Sequence, residues 1–342
     1  MRLLIYELFS SGEIGNNSEL SLLGFTMLNA VINDFAAIPG VEVVTILDRR
    51  FQTMIAQAAY PENVEFSWNH NCSGTGLEHF VEVLKICDGT LIIAPETDGI
   101  LTKITGMAEN QGKVVIGSSS LATGLAGNKQ KVLELLKGKG FAVPKTELIP
   151  NEVLQQWESA VFKRFMLPFV LKPVTGTGGQ GVFLIENSGN LSDAGSRLMQ
   201  TSRQSYIIQE YIAGEAVSVS CLVAAGKAGA VSVNKQILKV NGNFHFAGIS
   251  VPYSHPQAEA AKVAAQGACE AIAGLSGFVG VDLVLGETGP VIIEINPRVT
   301  AAYIALREVL DGNLAHCLYQ ACLQQKLPVL PNIIGTYTYI TD

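Results

Sequence analysis

The stretch FVGVDLVLGETGPVIIEINPR, residues 278–298, decides the fold. Two runs of alternating β-formers flank Gly286-Glu287-Thr288-Gly289-Pro290, the composition of a strand, a short loop and a returning strand. A hairpin closing symmetrically about Thr288 pairs Leu285 with Val291, Val284 with Ile292 and Asp282 with Glu294. Opposed residues on one face sit about 5 Å apart at Cβ. Asn296, two residues past Glu294, falls on the same face. Two carboxylates and an amide thus meet between aliphatic neighbours, where opposed like charges destabilise a sheet. A hard cation reverses that sign, and Mg²⁺ is held by one or two carboxylates together with substrate phosphates. A solvated acidic sheet edge is the plainer alternative. Ile292, Ile293 and Ile295 argue against it, because they indicate a strand buried on both faces, where unpaired carboxylates are costly.

Composition narrows the class. The chain has 342 residues, 48% hydrophobic and 15% charged, enough for two or three domains with a sizeable core. No apolar run approaches the roughly 20 residues of a membrane span. Met1–Phe9 carries Glu7 and lacks a basic region and cleavage site, so it reads as a first strand and the chain as cytoplasmic. The net charge of −7 argues against a binder of phosphate backbones. Cys72, Cys87, Cys221, Cys269, Cys317 and Cys322 are scattered without a CxxC pair, as expected of free thiols in a reducing compartment.

The first third alternates strands (Leu3–Tyr6, Val41–Leu47, Gly89–Ala94, Lys113–Ile116) with helices over about 19–35 and 79–86, which predicts a covered parallel sheet. Ligands of such sheets gather at the carboxyl ends of strands, which singles out the loops Glu7–Gly15 and Pro95–Gly99. Glu96 is there available to an ammonium or hydroxyl. With no GxGxxG run, no dinucleotide is assigned. Further on, the strand Phe169–Lys172 enters Pro173-Val-Thr-Gly-Thr-Gly-Gly-Gln-Gly181 and leaves as Val182–Ile185. Its glycines free backbone N–H groups to wrap an anion, and Lys172 adds a point charge for phosphate. Because the loop joins two strands and no GKS or GKT follows, it is not a Walker P-loop. Tyr206–Glu215 reads as a strand and turn on which a purine can stack, with Glu215 reaching ribose hydroxyls.

Taken in order, Asn128-Lys129, Lys172–Gly181, Gln209–Glu215 (QEYIAGE) and Asp282–Arg298 (D-x11-E-I-N-P-R) resemble the ATP-grasp superfamily over roughly residues 117–325. The resemblance implies an α/β chain: an ATP-grasp fold, two α+β subdomains gripping ATP, preceded by a Rossmann-like parallel-sheet pre-ATP-grasp domain. The implied division is 1–119, 120–204 with the glycine-rich loop, and 205–342 with the metal hairpin. It further implies Lys129 and Lys172 on the α/β phosphates, and Thr175, Gly176, Gly178, Gly179 and Gly181 over the β/γ phosphates. Gln209, Glu210, Tyr211 and Ile212 would hold adenine and Glu215 ribose. Asp282, Glu294 and Asn296 would hold two Mg²⁺ ions, or Mn²⁺ in their place. Lys172 and Arg298 are the implied catalytic residues, Arg298 clamping a carboxylate or phosphoryl group with its bidentate fork.

Three stretches are similar, within the superfamily, to the tyramine–glutamate ligases of methanofuran biosynthesis. They are Tyr6–Gly12 with Ser21-Leu22-Leu23, Ile93–Leu101 (IAPETDGIL) and Glu294–Arg307 (EINPRVTAAYIALR). That similarity implies a ligase joining glutamate to tyramine or tyrosine through an acyl phosphate. Glu7, Ser11 and Glu96 would form one wall of the acceptor cleft, and Arg298, Thr300 and Tyr303 the other. The chain departs from the pattern at Ala301, which follows Thr300 where a second hydroxyl residue is expected, and at Ser10-Ser11-Gly12-Glu13, where more glycine is expected. Both departures bear on the substrate more than on the reaction. Another amino-acid or dipeptide ligase, or a nucleotide-binding module without chemistry, are the competing readings. The implied partners are an amino-acid carboxylate and an aromatic amine, with no nucleic acid and no membrane; a homodimer is left open. No residue stands out in the sequence as the base that takes the amine's proton.

Overall fold

In the computed structural model, described over residues 1–12, 18–69, 77–149, 165–201, 205–240 and 244–341, β1 (Arg2–Glu7) is the spine of the first unit. Leu3, Leu4, Ile5 and Tyr6 are wholly buried. Alternate residues serve opposite faces, Leu3 and Ile5 packing in one core and Leu4 and Tyr6 in another, as a central parallel strand requires. β2 (Glu42–Asp48) and β4 (Gly89–Ile93) flank β1, both parallel to it. β3 (Val64–Asn69) and β5 (Val114–Val115) complete a five-stranded sheet of order β3-β2-β1-β4-β5. Helix α1 (Ser18–Ala36) packs with Leu3 and Ile5 on one face. Helices α3 (Glu78–Lys85) and α4 (Ile100–Asn110) cover the other, and α2 (Gln52–Gln57) links β2 to β3. The strand order reverses between β1 and β4, so the loops after Glu7 and Ile93 lie side by side at the switch point where such sheets bind ligands. β3 and α2 have no counterpart in the sequence reading. Val64–Asn69 mixes polar and aromatic residues and carries no clean alternation.

Helices α5 (Ser120–Ala126) and α6 (Lys129–Gly138) lead to a four-stranded antiparallel sheet of order β6-β9-β7-β8. Its strands are β6 (Thr146–Ile149), β7 (Phe169–Pro173), β8 (Phe183–Ile185) and β9 (Tyr206–Glu210), with α7 (Ser188–Thr201) between the last two. The glycine loop is the turn between β7 and β8, closed by Leu171 opposite Phe183.

The last sheet is six-stranded and antiparallel, in the order β14-β13-β10-β11-β12-β15. It comprises β10 (Gly214–Ala224), β11 (Lys227–Val240), β12 (Phe244–Val251), β13 (Gly277–Gly286), β14 (Gly289–Asn296) and β15 (Tyr337–Ile340). Helix α8 (Ala258–Glu270) lays Ala261, Ala265 and Ala268 against Val217, Val279 and Val281 of one face. Helices α9 (Ala302–Leu306) and α10 (Leu314–Gln324) share a core with α1, and Asp34 of α1 takes hydrogen bonds from Tyr303 and Arg307. No helix among the described residues is long and apolar enough to cross a membrane. Cys87, Cys221, Cys269, Cys317 and Cys322 are free thiols; Cys72 lies outside the described residues.

The hairpin pairs Asp282 with Glu294 as expected, but not symmetrically. Beyond that pair the register shifts, so that Leu283 meets Ile292, Val284 meets Val291 and Leu285 meets Pro290. Ile293 is the extra residue of a β-bulge. The bulge sends Ile292 into the core beside Leu283, while Ile293 and Glu294 both face the opposite side with Asp282. The symmetric pairing would have put Ile292 beside the carboxylates. Ile292→Ala should therefore lower stability by about 2–5 kcal/mol, the range for truncating a buried isoleucine, and Ile293→Ala by less than half as much. Urea unfolding of the two variants checks this, and the reverse order would contradict the bulge.

Candidate active site

A cavity of about 310 Å³ opens where the three sheets meet. One arm runs along the four-stranded sheet, lined by Val170, Gln209, Glu210, Tyr211 and Ile212 with Ala216 and Val284 opposite. The other reaches the switch point of the parallel sheet, lined by Glu7, Phe9, Ala94 and Pro95 and by Leu20, Leu23 and Met27 of α1. Lys172, the glycine loop, Asp282, Glu294, Asn296 and Arg298 stand between the arms.

The centre is a compensated cluster of charge, its lysines buried and its carboxylates half-buried. Lys129 Nζ lies 3.2 Å from Glu294 Oε2 and donates to Gly176 O at 2.8 Å. Asp282 accepts from Gln236 Nε2 at 2.9 Å and from Asn296 Nδ2 at 3.1 Å. Burial, and then the Glu294 charge, push the Asp282 carboxyl well above the ordinary carboxylate range. Burial works on Glu294 in the same direction, but Lys129 and Lys172 outweigh it and hold that carboxyl low. Burial brings the Lys172 ammonium down to about 8 against the pull of Glu294. The protein thus supplies cations for one carboxylate and leaves the other in want of positive charge. The donors are oxygens, two carboxylates and an amide, which suits Mg²⁺ or Mn²⁺. Gln236 was missed in the sequence. Its only signal is the polar alternation Ser232-Val-Asn234-Lys-Gln236 on β11, whose register against β10 is not local information.

The glycine loop is tied down at several points. Gly178, Gly179 and Gly181 have φ of +65°, +77° and +69°, open to glycine and strained for other residues. A Cβ on Gly179 would fall 2.3 Å from Phe244 O, so the loop tip rests on β12. Thr175 Oγ1 accepts from Asp98 N at 3.2 Å. Thr177 Oγ1 accepts from Arg298 Nη2 at 2.7 Å. Arg298 also makes a fork-to-fork pair with Glu96, Nε to Oε1 at 2.9 Å and Nη2 to Oε2 at 3.0 Å, with side chains only 9% and 4% exposed. One guanidinium therefore joins the carboxylate hairpin, the glycine loop and the parallel sheet. Glu96 does not stand free for a substrate ammonium, as the sequence reading had it; both its oxygens neutralise Arg298.

Three further expectations are corrected. Ser11 is wholly buried and donates to Leu8 O at 2.8 Å, inside the turn after β1 and outside the cavity lining. Tyr303 is wholly buried against Phe278, and its hydroxyl donates to Asp34 Oδ2 at 2.9 Å, again away from the cavity. Glu215 alternates with the cavity-facing Ala216 and so lies on the other face of β10, bound to Tyr253 and, at 3.2 Å, to Lys235. Glu7, Thr300 and the hinge residues Gln209–Ile212 do line the cavity, with Thr300 seated over the bare Cα of Gly280. The arm at the switch point has an apolar wall that the motifs did not reveal, formed by Phe9, Leu20, Leu23 and Met27 together with Phe246 and Ile249.

A family model described as ATP-grasp domain matches residues 126–302, just over half the chain, and one described as pre ATP-grasp 3 domain matches residues 41–123. The chain belongs to the ATP-grasp family. Among its relatives, the tyramine–L-glutamate ligase of Methanocaldococcus jannaschii is 30% identical over 240 residues, 70% of this chain and 64% of that one. The match thus spans less than two thirds of that ligase. The crystal structure of an ATP-grasp superfamily protein from Archaeoglobus fulgidus superposes with a TM-score of 0.70 at 23% identity, over 99% of this chain and 92% of that one. An L-amino acid ligase from Bacillus licheniformis superposes at 0.69 and 15% identity, over 98% and 78%. Both structures share the ATP-grasp fold with this chain. The glycine loop, the two lysines and the carboxylate hairpin all lie within the matched ATP-grasp segment, while Glu7 precedes both matched segments.

Glu7 yields a test by its proton. Burial, opposed by hydrogen bonds from Ser10 and Phe9 and by Arg298, raises its carboxyl from 4.5 to about 7. The folded chain therefore binds this proton more tightly than the unfolded one, and the stability it brings is lost as pH climbs through that window. Glu7→Gln should leave stability nearly unchanged at about pH 5 and raise it at about pH 8, by up to roughly 3 kcal/mol, with Tm moving the same way. Thermal melts at the two pH values check this; an equal shift at both would show that the carboxyl is ionised throughout.

Proposed function

We propose that this chain is an ATP-dependent carboxylate–amine ligase, joining a carboxylate of glutamate to tyramine or tyrosine through an acyl phosphate. One observation carries the reading. The lysine–carboxylate centre and Arg298 share a single cavity with an apolar arm that ends on a buried carboxyl group. A module that only bound nucleotide would have no use for the second arm. The similarity to the methanogen ligase supports glutamate and an aromatic amine, and with them a place in methanofuran-type cofactor assembly.

In this reading the hinge Gln209–Ile212 holds adenine, Lys129 and Lys172 meet the phosphates, and the glycine loop covers them and excludes water. Asp282, Glu294 and Asn296 would hold Mg²⁺, which when bound neutralises charge on the transferring phosphoryl group. A glutamate carboxylate oxygen attacks the γ-phosphorus and ADP leaves. The amine nitrogen then attacks the acyl carbon, forming the C–N bond as the C–O bond to phosphate breaks. Arg298, which lines the cavity with its fork held by Glu96, adds positive charge beside the anionic acyl phosphate. The apolar wall takes the aromatic ring.

The purified chain should release ADP and phosphate only when an amine and a carboxylate are supplied together, with the amide read by mass. A panel pairing glutamate with tyramine, tyrosine and other amino acids separates this assignment from another amino-acid or dipeptide ligase. Glu294→Gln changes little volume but removes a charge the metal needs. It should cost at least about 10²-fold in turnover with the circular dichroism spectrum unchanged. ATP hydrolysis that ignores both substrates, or normal turnover by Glu294→Gln, would reject the reading.

A further inference from the structure

Glu7 ends β1 at the switch point, is 1% exposed and lines the cavity. Its surroundings set it apart from the other acids of the site. Oε2 accepts from Ser10 N at 2.6 Å and Oε1 from Phe9 N at 3.2 Å, so backbone amides fix the carboxyl plane. Among the described residues no lysine or arginine forms an ion pair with it, since Arg298 is taken by both oxygens of Glu96. Gly24 of α1 seals its other side: a Cβ there would lie 2.4–2.6 Å from the carboxyl atoms of Glu7. The helix can press down on the acid only because this position has no side chain. Beside it stand Phe9, Leu20, Leu23 and Met27, a wall that holds an organic group but offers no charge.

We propose that Glu7 is the general base of amide formation, taking a proton from the substrate ammonium so that the neutral amine can attack the acyl phosphate. The inference rests on the ligase reading above. In the step, one N–H bond breaks and an O–H bond forms on Glu7. The freed nitrogen lone pair makes the C–N bond to the acyl carbon, the C–O bond to phosphate breaks, and the surplus proton on nitrogen departs with the phosphate. Glu7 returns its proton to solvent when product leaves. Glu96 cannot serve, because both its oxygens are engaged with Arg298. A carboxyl with a proton affinity near neutrality is suited to the work, and burial raises Glu7 to about 7. Desolvation against the apolar wall loosens the ammonium proton in turn. The charged group that acts on Glu7 from a neighbouring element is Arg298, itself paired with Glu96, while α1 meets it with Gly24.

Hydroxylamine separates the base from a mere binding group, because it is uncharged at neutral pH and attacks acyl phosphates without losing a proton first. In Glu7→Gln, kcat with the alkylamine should fall about 10²–10⁴-fold, and the ratio of amine to hydroxylamine turnover should fall with it. The residual amide rate should climb roughly tenfold per pH unit, following the fraction of free amine. Glu7→Asp, read by the same ratio, replaces it should the glutamine variant not fold. Equal losses with both nucleophiles would overturn the proposal and make Glu7 structural. So would a raised KM for the amine at unchanged kcat, which would make it a binding group. Wild-type protein that forms neither hydroxamate nor amide from any acid would instead remove the ligase reading, and this inference with it.

Discussion

Asp282 and Glu294 face each other across β13 and β14 on the wall of the cavity, both half-buried, and much of the molecule answers that confrontation. Two half-buried carboxylates at cross-strand distance are unfavourable until something positive or hydrogen-bonding reaches them. Four elements each send one such group. Helix α6 contributes Lys129, the four-stranded sheet Lys172, β11 Gln236 and β14 itself Asn296. The bulge at Ile293 belongs to the same solution. It lets Glu294 turn to the cavity while Ile292 and Ile295 keep their places in the core, which an unbroken period of two cannot do.

Local chemistry was legible, and so were its limits. The carboxylate pair, the glycine turn and the lysine before it could be read because each depends on residues a few positions apart. The bulge could not, since a strand written as alternating apolar residues looks the same with or without one extra residue. Glu215 was placed on the wrong face for the same reason: nothing in QEYIAGE says where the alternation of β10 begins. Ser11 and Tyr303 have the right chemistry for a cleft, but whether a hydroxyl faces a cavity or a neighbouring core is settled by packing. The Glu96–Arg298 pair spans 202 residues and joins two sheets, so no spacing rule could propose it.

The walls of the cavity are drawn from separate apolar cores. Helices α1, α9 and α10 share one apolar cluster with the parallel sheet and part of the six-stranded one, and Asp34 fastens the junction through Tyr303, Arg307 and Asn313. The four-stranded sheet has its own small core around Phe169, Leu171 and Ile208. The arm at the switch point is thus built on the larger block, while Lys172 and the glycine loop ride on the smaller.

The Arg298–Glu96 pair also acts as an internal competitor. A tethered carboxylate, already seated in both prongs of the guanidinium, is present at an effective concentration that a free metabolite cannot match. A monoanion arriving from solution gains little by exchange, because it offers Arg298 no more than Glu96 does. A more highly charged group, or one fixed in place by neighbours, gains more. The arrangement makes the arginine insensitive to the many simple acids a cell contains and responsive to a ligand that exceeds a carboxylate in charge.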